Sequence, residues 1–287
     1  MTGELPATLE LRRIAFAVAY RMLGDPPDAE DLAQETLVRW MRVDQSKVLR
    51  PDAYVASVSA RLALNLLRNR RGQRRLLDHY GLPVPLIDDA IGAADSRLDV
   101  SYGLLVLTRS LTPLARAVFI LRSAFELSFE EIGGTLERTP EACRQINSRA
   151  QRALERSPPP GGRKVDVESV SRLVACIAAA DIQGVLQLLA DEVVVTTDGG
   201  GTGPDLGRPI GGRERIARLL VVSPALLGQE ILPRIVETGS GTMVLIESAN
   251  RLVMSVIVEG DDARITALYV LSDLAKLGRV VTTSLGQ

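Results

Sequence analysis

Two helix-start signals follow one another closely between Leu111 and Leu154 and restrict that stretch to a few short helices. Ser128 and Glu131 form an S-x-x-E capping box, in which each side chain satisfies a free backbone amide of the other residue. Thr139 supplies a second N-cap, and Pro140 occupies the first helical position after it. The stretch is therefore predicted to contain one helix that begins at Ser128 and another that begins at Thr139.

The second of these helices has two chemically different faces. Its apolar face is predicted to consist of Ala142, Ile146, Ala150 and Ala153, which recur at helical spacing. The opposite face is a candidate DNA-binding surface made of Arg144, Gln145, Ser148, Arg149 and Arg152. Arginine can hold guanine or phosphate through two donors, and glutamine can pair with adenine. An arginine-rich face is also common on helices that meet only solvent, so both interpretations stay open for this helix alone.

Composition limits the class of protein. A chain of 287 residues with 46% hydrophobic content is long enough for two or three packed domains. It has no apolar run near the roughly 20 residues that span a bilayer and no secretory signal pattern, which predicts a cytoplasmic protein without a membrane segment. Cys143 and Cys176 are isolated and His79 is the single histidine, so neither a metal site nor a cofactor is expected.

Positive charge is concentrated in one place. Residues 1–160 carry 22 Lys/Arg and 20 Asp/Glu, a net +2, whereas residues 161–287 carry 12 and 15, a net −3. Within fifteen residues, however, the chain has six arginines, namely Arg61, Arg68, Arg70, Arg71, Arg74 and Arg75. A local field of this kind attracts a phosphate backbone.

Upstream of that cluster, the pattern predicts a helix over Leu9 to Leu23, closed by Gly24, and a second helix that opens at Asp28. The second helix is predicted to bury Leu32, Leu37, Trp40 and Met41. Its outward residues are predicted to be Asp31, Gln34, Glu35 and Arg39, which suit a protein-docking surface. A loop over residues 43–51 follows, and Asp52 is predicted to cap the helix that runs into the arginine cluster.

Three segments occur in a fixed order: DAEDLAQETLVRWM, AYVASVSARLALNLLRNRR and LTPLARAVFILRSAFELSFEEIGGTLERTPEACRQINSRA. Together they resemble regions 2 and 4 of the bacterial extracytoplasmic-function sigma factors and cover most of residues 9–155. The resemblance implies a region 2 bundle over residues 5–75, a linker over 76–107 and a region 4 helix-turn-helix domain over 108–156. It also implies a sigma factor that binds core RNA polymerase and directs promoter-specific transcription initiation.

The resemblance assigns a role to each candidate surface. Polymerase binding falls to the acidic helix, with Asp31, Gln34, Glu35 and Arg39. Recognition and opening of the minus-ten element fall to the loop 43–51 and to Asn65, Arg68, Asn69 and Arg71. Major-groove contact at the minus-thirty-five element falls to Arg144, Gln145, Ser148, Arg149 and Arg152. Trp40 and Tyr54 are available to stack on opened bases, although such aromatics more often belong to the core.

Two proline-containing stretches separate these parts. Pro83 and Pro85 in HYGLPVPLIDDA predict an ordered, extended linker. It resembles the WLPEP-type linker of sigma factors that carry an extra C-terminal domain, but the tryptophan and glutamate are missing, and an ordinary Pro-rich connector is the alternative. The run PPPGGRK ends the recognition helix and predicts a second linker over residues 157–164.

From residue 165 to 280 the pattern is helix, strand, helix and then antiparallel strands. This order resembles the SnoaL-like branch of the NTF2-like superfamily, a curved sheet wrapped by helices around a conical cavity. The predicted fold class is therefore multi-domain, with two all-α sigma domains followed by an α+β NTF2-like cone.

Two family signatures of such fusions are altered in this chain. The DGGGK-type loop is kept as Asp198, Gly199, Gly200 and Gly201 but continues with Thr202, and VLSDL at residues 270–274 stands in place of the NPDKL-type tail. The resemblance implies that the loop regulates the sigma domains in cis, and a plain turn after a strand is the alternative.

The C-terminal domain shows no pattern of catalytic residues. It has no histidine, and its acids, including Asp198 and Asp205, show no diagnostic pairing, so it is not expected to be an enzyme. A small-molecule ligand in its cavity is a further expected partner, because such folds enclose apolar pockets. The alternative function is a DNA-binding transcriptional regulator whose NTF2-like domain senses a ligand or is enzymatic.

Overall fold

The computed structural model describes residues 4–70, 81–86, 102–155, 163–200, 208–227, 231–238, 241–261 and 264–284. These residues divide into two compact units. The helical unit contains residues 4–70, 81–83 and 105–155. The α+β unit contains residues 84–86, 102–104 and the described residues from 163 onward. Within these ranges, no helix has the length and apolar character needed to cross a membrane.

The helical unit begins with α1 (Glu4–Leu23), α2 (Pro26–Arg42) and α3 (Pro51–Arg70). A single 3₁₀ turn, Gln45–Lys47, lies in the loop between α2 and α3. The predicted end of α1 is confirmed, since Gly24 has a φ of +69° and its N–H donates to the carbonyl of Tyr20 at 2.7 Å.

Two details of α2 were wrong in the sequence prediction. The helix begins at Pro26 with Asp25 as its N-cap, whose carboxylate accepts from the N–H of Asp28, because a proline is favourable at the first helical position. Met41 is 66% exposed instead of buried, since α1 and α3 cover only the side of α2 that carries Leu32 and Trp40. The next helix begins at Pro51, so Asp52 lies in its first turn and the prediction that Asp52 caps it is wrong.

Four further helices follow: α4 (Tyr102–Thr108), α5 (Pro113–Phe125), α6 (Phe129–Leu136) and α7 (Pro140–Glu155). They belong to the helical unit except for residues 102–104, the first turn of α4. Both predicted helix starts are confirmed. The capping box is complete, and the side chain of Thr139 accepts from the N–H of Ala142 at 3.2 Å. Gly133 makes the turn between α6 and α7 feasible, because a Cβ there would lie 2.6 Å from the carbonyl oxygen of Arg138.

The buried face of α7 differs from the prediction. Its buried residues are Cys143, Asn147, Ala150 and Leu154, whereas Ala153 is exposed and Ala142 and Ile146 are half-buried. Leu154 and Ala150 pack with Leu111 against Phe119. The larger Leu154 therefore sets the rotation of the helix, and the small alanines on the predicted face bury too little area to compete.

Arg116 of α5 lies at the centre of the helical unit and donates only to backbone carbonyls. Its Nε reaches Thr108 at 2.9 Å, and its Nη1 reaches Met22 at 2.5 Å. Its Nη2 reaches Arg109 at 3.1 Å and Leu111 at 3.4 Å. Burial lowers the pKa of Arg116 to about 10. One guanidinium thus joins the last turn of α1, the last turn of α4 and the loop before α5.

The segment 81–86 forms neither helix nor strand, which confirms the effect expected of Pro83 and Pro85. It is nevertheless ordered, since the side chains of Leu82, Val84 and Leu86 are almost fully buried. The alternation of buried apolar residues with prolines therefore makes this part of the chain a packed element.

A mixed sheet forms the α+β unit. Its strands are β1 (Arg163–Lys164), β2 (Leu189–Asp198), β3 (Ile210–Gly211), β4 (Leu232–Thr238), β5 (Gly241–Ser248), β6 (Arg251–Gly260) and β7 (Ile265–Leu271). The strand order is β3-β2-β7-β6-β5-β4, with β1 paired to β6. The predicted antiparallel run β4 to β7 is confirmed, and β2 is parallel to β7, which the sequence did not indicate.

Helices α8 (Val167–Ala178), α9 (Ile182–Leu188) and α10 (Arg213–Leu227) cover one face of the sheet, and α11 (Leu274–Ser284) follows the last strand. The core between the first three helices and the sheet is aliphatic, with Val185, Val195, Ile216, Val258 and Leu268 among its buried members. Helices that pack on one face of a mainly antiparallel sheet are typical of an α+β domain, as the sequence predicted. The first helical part of this domain consists of two helices, because Ala180 has a φ of +53° and separates α8 from α9.

Candidate nucleic-acid interface

The outward face of α7 carries the residues predicted to contact the minus-thirty-five element. Arg144, Gln145, Arg149 and Arg152 are exposed, and Ser148 is half-buried. Their helix is held from behind by its buried face, so the donors point away from the core. The structure thus brings the five predicted residues onto one accessible surface, and their contact with DNA stays a prediction.

Phe129, the first residue of α6, connects this surface to the neighbouring helix. The Cζ atom of Arg144 lies 5.3 Å from the centroid of its ring, and the Cζ atom of Arg122 lies 5.1 Å from the same centroid. Nη1 of Arg122 also donates to the carbonyl of Leu127 at 3.0 Å. Sequence reasoning gave Phe129 no role, although its place directly after the capping Ser128 fixes its position on the domain.

Region 2 contributes a second polar surface on α3. Asn65, Arg68 and Asn69 are exposed, as predicted for residues that read the minus-ten element. Arg71, the fourth predicted residue, lies outside the described residues. The contacts of this group with promoter DNA stay a prediction.

The predicted loop 43–51 presents its residues to solvent. Leu49 is 97% exposed, which is unusual for so large an aliphatic side chain. Hydrogen bonds from Ser46 and then Lys47 hold the pKa of Asp44 below its usual range. Arg50 ties the loop to α5, because its Nη2 donates to the carbonyl of Phe125 at 3.1 Å. The sequence predicted a role for the loop as a whole but did not reveal that Leu49 is its most exposed aliphatic side chain.

The two aromatic residues near the loop have different environments. Trp40 is only 7% exposed, and its ring centroid lies 5.6 Å from that of Tyr54. Tyr54 is half-buried. Trp40 is therefore a core residue, and only Tyr54 keeps an open edge.

The face of α2 predicted to dock on polymerase is exposed at all four positions, Asp31, Gln34, Glu35 and Arg39. Arg39 pairs with Glu35 through an Nε to Oε1 distance of 2.8 Å, and Gln34 donates to Glu30 at 3.3 Å. Such exposed pairs contribute little to stability, so these side chains can exchange their partners on binding.

Region 2 and the helix-turn-helix domain pack against each other within the helical unit, where α3 contacts both α5 and α6. An ion pair joins their surfaces, with Arg61 Nη2 lying 2.5 Å from Glu137 Oε1. Both side chains are more than half exposed. One arginine of the basic cluster is therefore already paired to an acid of the turn that precedes α7.

The two altered family signatures meet in the α+β unit. Lys276 of α11 pairs with Asp198 at 2.5 Å, and the N–H of Ser272 donates to the carbonyl of Asp198 at 2.8 Å. Gly200 has a φ of +58°, and a Cβ there would collide with Asp273. The loop that begins at Asp198 is thus held by the tail of the domain, and Gly201 lies outside the described residues.

A buried acid, Glu259 of β6, was not identified from the sequence. It is 1% exposed, its Oε1 accepts from the N–H of Gly103 at 2.8 Å, and its Oε2 has no hydrogen-bond partner among the residues that the structure describes. Burial raises the pKa of Glu259 to about 7, although the backbone N–H groups of Gly103 and Tyr102 oppose that rise. A single acid inside the apolar run VMSVIVEG was the signal that could have revealed it.

Gly103 fits closely between Glu259 and Tyr269. A Cβ on Gly103 would lie 2.5 Å from Oε2 of Glu259 and 2.6 Å from the hydroxyl of Tyr269. The ring of Tyr102 packs edge-on against Tyr269, with centroids 5.2 Å apart. Residues 102 and 103, which belong to the α+β unit, therefore pack against β6 and β7 within that unit.

Neither cysteine forms a disulfide, and burial raises the pKa of the Cys143 thiol. Among the described residues, no group of three or more histidine, cysteine or acidic side chains is arranged to hold a metal ion.

Comparison with known proteins identifies the class. Residues 9–73 match the family model for Sigma-70 region 2. The chain is 32% identical over 219 residues to the ECF RNA polymerase sigma factor SigJ of Mycobacterium tuberculosis, covering 74% of this chain and 70% of that protein. It is also 30% identical over 148 residues to the probable ECF sigma factor SigI of that organism, where the match covers half of each chain.

The crystal structure of M. tuberculosis SigJ superposes on this chain with a TM-score of 0.70 at 26% sequence identity, covering 96% of this chain and 98% of that one. A helix-turn-helix domain beside a region 2 bundle defines a sigma factor. The chain belongs to the extracytoplasmic-function sigma factors of RNA polymerase, and its function is the initiation of transcription. The predicted fold class, two all-α sigma domains followed by an α+β NTF2-like domain, is confirmed.

Proposed function

We propose that this sigma factor reads its promoter through two surfaces and meets core polymerase through a third. The face of α7 contacts the minus-thirty-five element, α3 with the loop 43–51 contacts the minus-ten element, and the exposed face of α2 binds core polymerase. The observation that carries this proposal is the exposure of the four larger predicted α7 residues. Arg144, Gln145, Arg149 and Arg152 are exposed and Ser148 is half-buried, while the helix packs through Cys143, Asn147, Ala150 and Leu154.

Arginine side chains on α7 suit this task because guanidinium groups recognise guanine edges and phosphates through paired donors. Residues near the start of a recognition helix contact base edges, whereas later ones lie closer to the backbone. We therefore assign base contact to Arg144 and Gln145, and backbone contact to Arg152.

This assignment is tested by combining protein variants with altered promoters. The wild-type holoenzyme first selects promoters from a library randomised at the minus-thirty-five element. Arg144→Ala is expected to weaken binding and to relax the preference at one base pair by about 1–3 kcal/mol. Arg172→Ala, an exposed arginine of α8, serves as the matched control. A uniform loss over all sequences would contradict base reading by Arg144.

We also propose that the α+β unit regulates sigma activity in cis by holding α4. The first turn of α4 belongs to the α+β unit, and the helix continues into the helical unit from Leu105 onward. The last turn of α4 receives the guanidinium of Arg116, which also contacts Met22. The contacts of Glu259 and Tyr269 with Gly103 fix the first turn of α4. Because α4 is one continuous helix, these contacts support a route by which the C-terminal domain changes the activity of region 4.

Point variants test this better than shortening the chain, because residues 84–86 and 102–104 themselves belong to the α+β unit. Gly103→Ala inserts a methyl group between Glu259 and Tyr269 and is expected to release the first turn of α4. The readout is promoter-dependent transcription with core polymerase. Gly278→Ala in α11, where a Cβ meets no atom within 4 Å, is the control. Equal transcript yield from Gly103→Ala and wild type would contradict the proposal.

The small-molecule ligand stays a prediction. On the helix-covered face of the sheet, the hydrophobic core is aliphatic, and the hydroxyl of the buried Thr242 donates to the carbonyl of Val165. We therefore expect a ligand at this face to be mainly apolar.

A further inference from the structure

We propose that Phe129 is a positioning residue of the minus-thirty-five interface, and that Arg122 is a DNA-backbone contact beside Arg144. The ring of Phe129 would hold both guanidinium groups at one end of the recognition surface. This inference rests on the proposed role of α7, because it concerns how that surface presents its arginines.

The geometry places three helices around one ring. Phe129 begins α6, Arg122 lies in the last turn of α5, and Arg144 lies in the first half of α7. Their Cζ atoms lie 5.1 and 5.3 Å from the ring centroid, within the distance at which a cation is attracted to the face of an aromatic ring. The ring therefore links the two arginines although they belong to different helices.

The position of Phe129 is fixed independently of either arginine. The N–H of Ser128 donates to Glu131 at 2.7 Å, and the hydroxyl of Ser128 accepts from the N–H of Glu131 at 3.1 Å. This reciprocal cap, which lowers the pKa of Glu131, sets the first turn of α6. Phe129 is consequently a fixed platform on which longer side chains can rest.

Stacking leaves the hydrogen-bonding edge of a guanidinium free. Among the residues that the structure describes, no acceptor engages the guanidinium of Arg144. Arg122 uses Nη1 to reach the carbonyl of Leu127 at 3.0 Å. Both groups can thus present donors outward while the ring limits their motion, which lowers the conformational entropy lost on binding.

Two cations on one ring also indicate the charge of the occupant. Like charges brought together by a shared platform repel each other, and an anion between them or beside them removes that repulsion. The exposed acids closest in sequence are Glu126, Glu130 and Glu141, while Glu131 is already engaged by Ser128. When a helix-turn-helix domain binds DNA, the anions that it contacts are backbone phosphates, and we assign one such phosphate contact to Arg122.

A double-mutant cycle in the full-length protein, bound to core polymerase, tests the positioning role. The probe is DNA carrying the minus-thirty-five element that the wild-type holoenzyme selects from a randomised library. Phe129→Leu is expected to weaken binding about 2- to 5-fold, the range of an exposed cation–π contact. Phe129→Tyr keeps an aromatic face and is expected to restore affinity.

The decisive comparison uses a background that carries both Arg122→Ala and Arg144→Ala. If Phe129 acts through these two arginines, Phe129→Leu adds little to the loss in that background. A purely structural Phe129 would give the same loss with or without the two arginines, and that outcome overturns the inference. Phe119→Leu is the control, because Phe119 packs against Leu111 and Leu154 and neither of the two guanidinium groups lies over its ring.

Salt dependence tests the second part. Arg122→Ala is expected to reduce the slope of log affinity against log salt by about 1, the signature of one lost phosphate contact. An unchanged slope overturns the role of Arg122.

The proposed role of α7 and the role of Phe129 are distinguished by different outcomes. If Arg144→Ala binds as the wild type does, the proposed role of α7 is wrong and this inference fails with it. If Arg144→Ala weakens binding and Phe129→Leu does not, α7 reads DNA and only the inference is wrong.

Discussion

Charged residues serve opposite purposes on the recognition helix and in the interior of this protein. Arg144 and Arg149 are exposed, and their hydrogen-bonding capacity is available to an external partner. Arg116 and Glu259 are buried, and their partners are backbone groups of the same chain. The difference shows that charge type alone does not assign a residue to the interface, because burial decides whether its partner is DNA or the fold.

The largest effect on stability is expected at Arg116. Arg116→Met keeps the length and apolar part of the side chain but leaves four carbonyl acceptors without their shared donor. Because unsatisfied buried groups cost about 1–3 kcal/mol each, a loss of about 3 kcal/mol or more in unfolding free energy is expected. Thermal unfolding measures it, with Arg61→Met as the exposed control. Equal midpoints for the two variants would show that the buried arginine contributes no more to stability than the exposed one.

Glu259 is expected to make stability depend on pH. Its pKa is raised to about 7 in the folded protein, so its contribution is fully present below the unfolded pKa and is lost as pH rises through 7. A shift from the ordinary value of 4.5 corresponds to about 3 kcal/mol between those pH values. Glu259→Gln keeps the acceptor for Gly103 and should flatten the profile. The same decline in the variant would show that another group carries it.

A moderate effect is expected at the contact between loop and tail. Lys276→Met removes the ammonium group that faces the largely buried carboxylate of Asp198. Leaving that acid with fewer partners should reduce stability by about 2 kcal/mol. Lys276→Arg retains the charge and should recover most of it. Urea unfolding of the wild type, Lys276→Met and Lys276→Arg measures the free energy of unfolding. An unchanged value for Lys276→Met would show that the backbone amides of the loop are enough to stabilise the Asp198 carboxylate.

The smallest effect is expected at Arg61 and Glu137. Both are exposed, and exposed ion pairs contribute about 0.2–1 kcal/mol at most. Glu137→Gln should therefore leave the unfolding midpoint almost unchanged while freeing Arg61 for DNA. Promoter binding at low salt provides the readout. A large loss of stability would place this pair with Arg116 instead of with the recognition residues.

Local signals in the sequence predicted several elements correctly. The capping box at Ser128 and the cap at Thr139 depend on residues within one turn of each other, so no distant contact can change them. The exposed positions of α2 and α7 followed from helical spacing for the same reason. Where packing was decisive, as for Met41 and the alanine face of α7, the prediction was wrong.

The interactions that the sequence did not reveal join residues far apart in the chain. Glu259 meets Gly103, and Lys276 meets Asp198. Phe129 lies close enough to α7 in sequence to be noticed, but its contact with Arg144 depends on the angle between two helices, which spacing does not give.

The sequence by itself determined the class of this protein, because the order of region 2 and region 4 segments and their helix caps is written in short-range patterns. It also determined that a sheet-forming domain follows them. Only the tertiary structure decided which charges are buried, which face of α7 packs, and where α4 is held. Those outcomes depend on burial and on partners brought together by folding, and neither is encoded within a single helix or strand.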